Sequence, residues 1–116
     1  MSRYSFDRTQ RLTRRPEFLA CYDQGHRSFT ANFIIFILPR ANVNDPSRYG
    51  AAVGKKIGSS VRRNRIKRLL RECFRLHIEA IGPGLDIAVV ARRSIDVGRL
   101  TLKQVEDELL SCVIKA

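Results

Sequence analysis

The sequence predicts an α+β fold: a single-domain, two-layer α-β sandwich with its elements in the order α-β-β-β-α-β-α. Three observations carry that prediction. Residues 54–75, GKKIGSSVRRNRIKRLLRECFR, place Ile66, Leu69, Leu70, Cys73 and Phe74 at helical spacing on one stripe about 140° wide. Two other runs, RSFTANFIIFIL from residue 27 and LDIAVVA from residue 85, are apolar and rich in β-formers. The length of 116 residues suits one domain, able to bury roughly two thirds of its unfolded surface without a metal or disulfide staple.

Taken in order, residues 1–12 hold Arg3, Arg8 and Arg11 among few apolar side chains, which predicts a mobile basic arm. A first helix is expected over residues 14–24, with Pro16 in its first turn and Gly25 just past its end. Phe18 and Tyr22 are i, i+4 neighbours on one face, with Leu19 and Cys21 pointing elsewhere; core and exposed binding surface both remain open for the aromatic pair. The run 27–38 is extended, broken near Ala31 into a short and a longer strand. On the longer strand Phe33, Ile35 and Ile37 face one side and Asn32, Ile34, Phe36 and Leu38 the other. Both faces are therefore apolar, so either helices cover both or one is a binding surface. PRANVNDPS is a loop, and a short strand over residues 49–53 leads into the basic helix. Gly82-Pro83-Gly84 ends that helix region, and the strand after it completes a βαβ unit with a parallel pair. Thr101 and Gln104 make a capping box for a last helix carrying Leu102, Val105, Leu109 and Cys112 on one face.

Charge is the strongest functional signal. The chain has 22 Lys and Arg against 11 Asp and Glu, a net charge of +11. Nine of those 22 cations lie within residues 54–75, against the single acid Glu72. Asn64, Arg68, Arg71 and Arg75 form a ridge opposite the apolar stripe, flanked by Arg65 and Lys67. Like charges at those spacings repel, so a polyanion is the expected compensation. Lys55 and Lys56 stand before Gly58-Ser59-Ser60, whose hydroxyls and amides open the helix and suit phosphate. The blander reading is a solvated basic face; a nuclear-localisation or calmodulin-target helix fits a compact chain of this kind less well. No apolar run approaches the roughly 20 residues of a membrane span and the charged N-terminus has no signal-peptide core, so a cytoplasmic protein without a membrane partner is expected. Cys21, Cys73 and Cys112 read as buried thiols, and His26 and His77 lack a second ligand at metal spacing. Lone acids such as Asp86 and Glu72 make no catalytic pair: Asp86 is expected at a strand end, and Glu72 beside Arg68 or Arg75.

Two surfaces follow, suited to two kinds of RNA. The basic ridge with Lys55 and Lys56 fits a phosphate backbone, Arg63 and Arg65 forking onto its oxygens and Asn64 bonding sugar or phosphate. Phe18, Tyr22, Ile34 and Phe36 form a trough for single-stranded bases if the first helix packs beside rather than squarely over the sheet.

The stretch RRNRIKRLLRECFR, preceded by a strand and KKIG, resembles the signature of the bacterial ribonuclease P protein family, whose hallmark is the triplet Arg63-Asn64-Arg65. The chain follows that family's order over nearly its whole length. The resemblance implies a ribonucleoprotein endonuclease whose catalytic RNA removes the 5′ leader of precursor tRNA by metal-ion hydrolysis. Magnesium would then be held through the RNA, with no cofactor site and no catalytic residue on the protein. It implies a left-handed βαβ crossover, a leader-binding cleft at Phe18, Tyr22, Ile34 and Phe36, and contacts to the catalytic RNA from Lys55, Lys56, Arg63, Asn64, Arg65, Lys67, Arg68 and Arg71. Three departures bear on individual contacts: Gly54 replaces a small hydroxyl residue, Ala31 stands where a basic residue is common, and no basic tail follows the last helix. Composition alone leaves open a ribosomal-type or RNA-chaperone module, which needs no aromatic trough. A DNA-binding regulator would need a helix-turn-helix partner, and the strand before the basic helix argues against DNA as the partner.

Overall fold

The computed structural model describes residues 10–114. Its elements are helix α1 (Arg15–Gln24), strands β1 (His26–Phe29), β2 (Phe33–Pro39) and β3 (Arg48–Ala52), helix α2 (Ser60–Ile81), strand β4 (Leu85–Ala91) and helix α3 (Leu102–Val113). This is the predicted α+β order, with a 3-10 turn over Lys55–Ile57 joining β3 to α2. Residues 1–9 of the expected basic arm lie outside the described residues. Within the described residues the arm is anchored: Leu12 is buried and its N–H donates to the Tyr49 carbonyl at 2.8 Å.

The strands form one sheet in the order β1-β2-β4-β3, antiparallel except for the β3–β4 pair that α2 connects. The break in the first extended run falls at residues 30–32, where the Thr30 N–H bonds the Phe33 carbonyl and turns the chain back. Alternation then sorts the side chains. Phe33, Ile35, Ile37, Ile87 and Val89 pack with Ile66, Leu70, Cys73 and Phe74 of α2 and Val105 and Leu109 of α3. The opposite face carries Phe36 and Ala88, which pack with Leu12 and with Cys21 of α1. One apolar face of β2 is thus covered by α2 and α3, and α1 covers the other at Phe36.

Local chemistry fixes the ends of the helices. The Ser59 hydroxyl accepts from the Arg62 N–H at α2, and Thr101 and Gln104 make the reciprocal cap at α3. Helix α2 stops at Gly82, whose φ of 76° is a backbone state glycine adopts without strain. One turn earlier α2 departs from helical geometry at His77, which pairs with Glu106 of α3. Burial pushes the Cys21 thiol up to about 11 and the Cys73 thiol up to about 12, as expected of structural cysteines. Among the described residues no helix is long and apolar enough to cross a membrane.

Candidate nucleic-acid interface

The position of α1 decides what the sheet can bind. Helix α1 begins beside β3 and ends where Gly25 meets the Ile37 carbonyl of β2, so it crosses the strands instead of running along them. Its first turn is held by charge. The Glu17 carboxylate accepts the N–H groups of Thr13 (3.2 Å) and Arg14 (3.0 Å) and pairs with Arg48 of β3. Arg48 in turn forks onto Asp86 of β4, Nε to Oδ1 at 2.8 Å and Nη2 to Oδ2 at 2.7 Å. Asp86, only 8 % exposed, stands at the start of β4, as expected of a strand end, and is paired there with Arg48 of β3. Burial pushes the Glu17 carboxyl up, but its two backbone N–H bonds and the Arg48 charge outweigh that, and it ends below its ordinary value. Hydrogen bonds to Asp86, above all, raise Arg48 above its ordinary value.

The Phe18 ring rests on Gly50, where a Cβ would come within 2.5 Å of it. Tyr22 lies edge-on to Phe36 with ring centroids 4.8 Å apart, and 6.3 Å from Phe18. Beneath α1 lies the row Phe36, Ala88 and Gly50, joined by register. The next row towards the strand ends, Ile34, Val90 and Ala52, is half-buried and lies beyond α1. That row floors an open trough, and α1 is its wall.

The four predicted trough residues do come together, but not as equals. Tyr22 is 36 % exposed, Phe18 and Ile34 are half-buried, and Phe36 at 9 % is packed under Tyr22 and α1. The aromatic group is thus part exposed and part core. Leu19 is a correction: expected to point elsewhere, it lines a pocket of about 360 Å³ with Thr13, Arg15, Phe18, Tyr22 and Ala52. Leu19 and Arg15 are four residues apart on that wall, a spacing that could have flagged them. Val90 and Ala52 carried no sequence signal, because their role depends on strand register.

The eight residues expected to contact RNA from the basic helix and its entry divide into three groups. Lys67 and Arg71 turn towards the β3 edge, where they line a pocket of about 200 Å³ with Arg11, Thr13 and Tyr49. Asn64 and Arg68 are exposed on the outer ridge, and Lys55 and Lys56 are exposed in the turn before α2. The remaining two bond carbonyls of the chain itself. Arg63 Nε donates to the Gly58 carbonyl at 3.2 Å. Arg65 donates to Val97 O (3.3 Å) and Leu100 O (3.0 Å), tying α2 to the segment that leads into α3. Glu72 pairs with Arg75, and that bond above all lowers its carboxyl pKa. Thr13 lies in both pockets, so the apolar trough and the cationic groove join around the β3 edge. Among the described residues no group of His, Cys, Asp and Glu is placed to hold a metal ion.

The chain is similar to known proteins over nearly its whole length. The family model described as Ribonuclease P matches residues 6–116. A ribonuclease P protein component from Oleidesulfovibrio alaskensis is 48 % identical over 103 residues, spanning 89 % of this chain and 82 % of that protein. One from Desulfovibrio desulfuricans is 46 % identical over 110 residues, 95 % of this chain and 85 % of the other. Among solved structures, the RNase P protein from Thermotoga maritima superposes with a TM-score of 0.80 at 30 % identity, covering 91 % of this chain and 96 % of its own. The protein from Staphylococcus aureus gives 0.76 at 31 % identity, covering 91 % and 93 %. A cationic groove joined to an apolar trough, on a chain this similar throughout, leads to one assignment: the chain belongs to the ribonuclease P protein family.

Proposed function

We propose that this chain is the protein component of ribonuclease P and assists a catalytic RNA in removing the 5′ leader of precursor tRNA. The observation that carries the reading is the junction of the two surfaces at Thr13, which lets a single strand in the trough continue into a groove lined by Arg11, Lys67 and Arg71. Bases without partners stack on Tyr22 and Phe18 and pack on Ile34, with little dependence on sequence. Phe36 supports Tyr22 from below. Phosphates of the catalytic RNA are neutralised by Lys55, Lys56, Lys67, Arg68 and Arg71, Asn64 bonds sugar or phosphate, and Arg63 and Arg65, which also donate to the carbonyls of Gly58, Val97 and Leu100, contact the same RNA. The protein then supplies binding and orientation, and hydrolysis belongs to the RNA with magnesium held through it; the holoenzyme is the endoribonuclease. Residues 1–116 act as one RNA-binding domain in the cytoplasm.

The test is cleavage of precursor tRNA by the cognate catalytic RNA at near-physiological magnesium, with and without this protein. Correct 5′ cleavage that requires the protein supports the reading. Tight RNA binding that leaves cleavage unchanged overturns it in favour of a general RNA-binding protein.

A further inference from the structure

The row of side chains that floors the trough continues past Ile34. Register pairs Ile34 with Phe29 of β1, and Phe36 with Arg27, so both β1 side chains stand on the α1 face of the sheet. The full row is Phe29, Ile34, Val90 and Ala52, one residue from each strand. Three inter-strand steps of about 4.8 Å put its ends roughly 14 Å apart. Phe29 is 60 % exposed, more open than Tyr22, and lies at the edge of the sheet beyond the reach of α1. The Arg27 guanidinium carbon lies 5.2 Å from the Phe29 ring centroid. Arg92, exposed at the end of β4, donates to the Thr30 carbonyl at 2.8 Å and so adds a second cation at this rim.

An open aromatic ring on an apolar floor, with cations fixed beside it, matches what a single-stranded nucleotide offers: a π-face and a phosphate. We propose that Phe29 and Arg27 form a separate base-stacking subsite at the β1 end of the trough, taking a leader nucleotide beyond those held at Tyr22, Phe18 and Ile34. Phe29 stacks the base, and Arg27 and Arg92 neutralise its phosphate. The inference rests on the leader-binding reading of the trough and extends it to a residue on which the basic signature says nothing.

The experiment measures equilibrium affinity of the holoenzyme for precursor tRNAs whose leaders are lengthened one nucleotide at a time, starting from mature tRNA. With the wild-type protein, affinity rises with leader length to a plateau. Phe29→Ala should reach its plateau at a shorter leader and bind the longest leaders about 5- to 140-fold more weakly, the equivalent of one lost stacked base. It should match wild type on short leaders and on mature tRNA, and Phe29→Tyr should restore the full profile. Because Phe29 is so exposed its truncation leaves no core cavity, and an unchanged melting curve checks this. Identical profiles for Phe29→Ala and wild type overturn the subsite and leave Arg27–Phe29 as protection of an edge strand. Equal loss at every length, mature tRNA included, also overturns it. A wild-type holoenzyme indifferent to leader length overturns the leader reading itself, a result distinct from the other two.

Discussion

Gly50 is where a single methyl group tests how α1 is seated. Its backbone is unstrained, so the cost of Gly50→Ala comes from space alone: the new Cβ would lie 2.5 Å from Phe18 Cζ, 2.7 Å from Leu12 Cβ and 2.9 Å from Leu12 O. The Phe18 ring can swing away, but the Leu12 carbonyl belongs to the segment bonded to Tyr49, so the backbone there must shift. Overpacking of this kind costs about 1–3 kcal/mol. For a domain near 100 residues that is a fall in Tm of roughly 4–12 °C. The same shift lifts Phe18 and Tyr22 from the floor of the trough, so leader-bearing tRNA should lose affinity while mature tRNA keeps it. Thermal melting and the ratio of the two affinities read both effects. A variant as stable as wild type, with the ratio unchanged, would refute the placement of α1 on which the trough depends.

The α2 cations separate structure from binding. Arg65→Ala removes two hydrogen bonds to the segment before α3 and should destabilise the fold by about 1–3 kcal/mol, whereas Arg68→Ala should stay within about 0.5 kcal/mol of wild type and lose RNA affinity instead; urea titration distinguishes them, and equal stabilities would contradict the assignment. Lys67→Ala and Arg71→Ala should each flatten the plot of log affinity for the catalytic RNA against log salt by about 0.7–0.9; an unchanged slope would remove those side chains from the groove. Acid stability tests the Glu17–Arg48–Asp86 link. The folded Glu17 carboxyl lies below its ordinary value of 4.5, so on acidification the unfolded chain takes up this proton first, and stability present above that value is lost as pH falls through the folded one. Glu17→Gln should lose less stability than wild type over that interval, and parallel acid profiles would contradict it.

The helices were legible in the sequence because their signals are local. Ser59, Gly82 and the Thr101–Gln104 box mark ends, and Ile66, Leu70, Cys73 and Phe74 mark the buried side of α2. Strand β2 showed two apolar faces, but not whether helices cover both or one is left as a binding surface, because that depends on how α1 crosses the sheet. Arg48 joins Glu17 and Asp86, 31 and 38 residues away along the chain, and no periodicity reports a contact of that range. The same limit hid the bonds of Arg65: spacing placed it among the cations of the basic helix, and its partners within the chain are carbonyls more than 30 residues further on. Residues 10–12 read as an arm because they are nearly all polar; one apolar side chain, Leu12, and one backbone bond hold them to β3.

The claim that the trough holds the leader is tested most directly at Tyr22, whose ring is open enough to remove without emptying the core. The measurement is the ratio of holoenzyme affinities for leader-bearing and mature tRNA, with wild-type protein and with Tyr22→Ala. One lost stacking contact predicts a fall in that ratio of about 5-fold or more, with mature tRNA binding unchanged. A ratio equal to wild type in a variant that melts normally would show that the leader does not lie against α1.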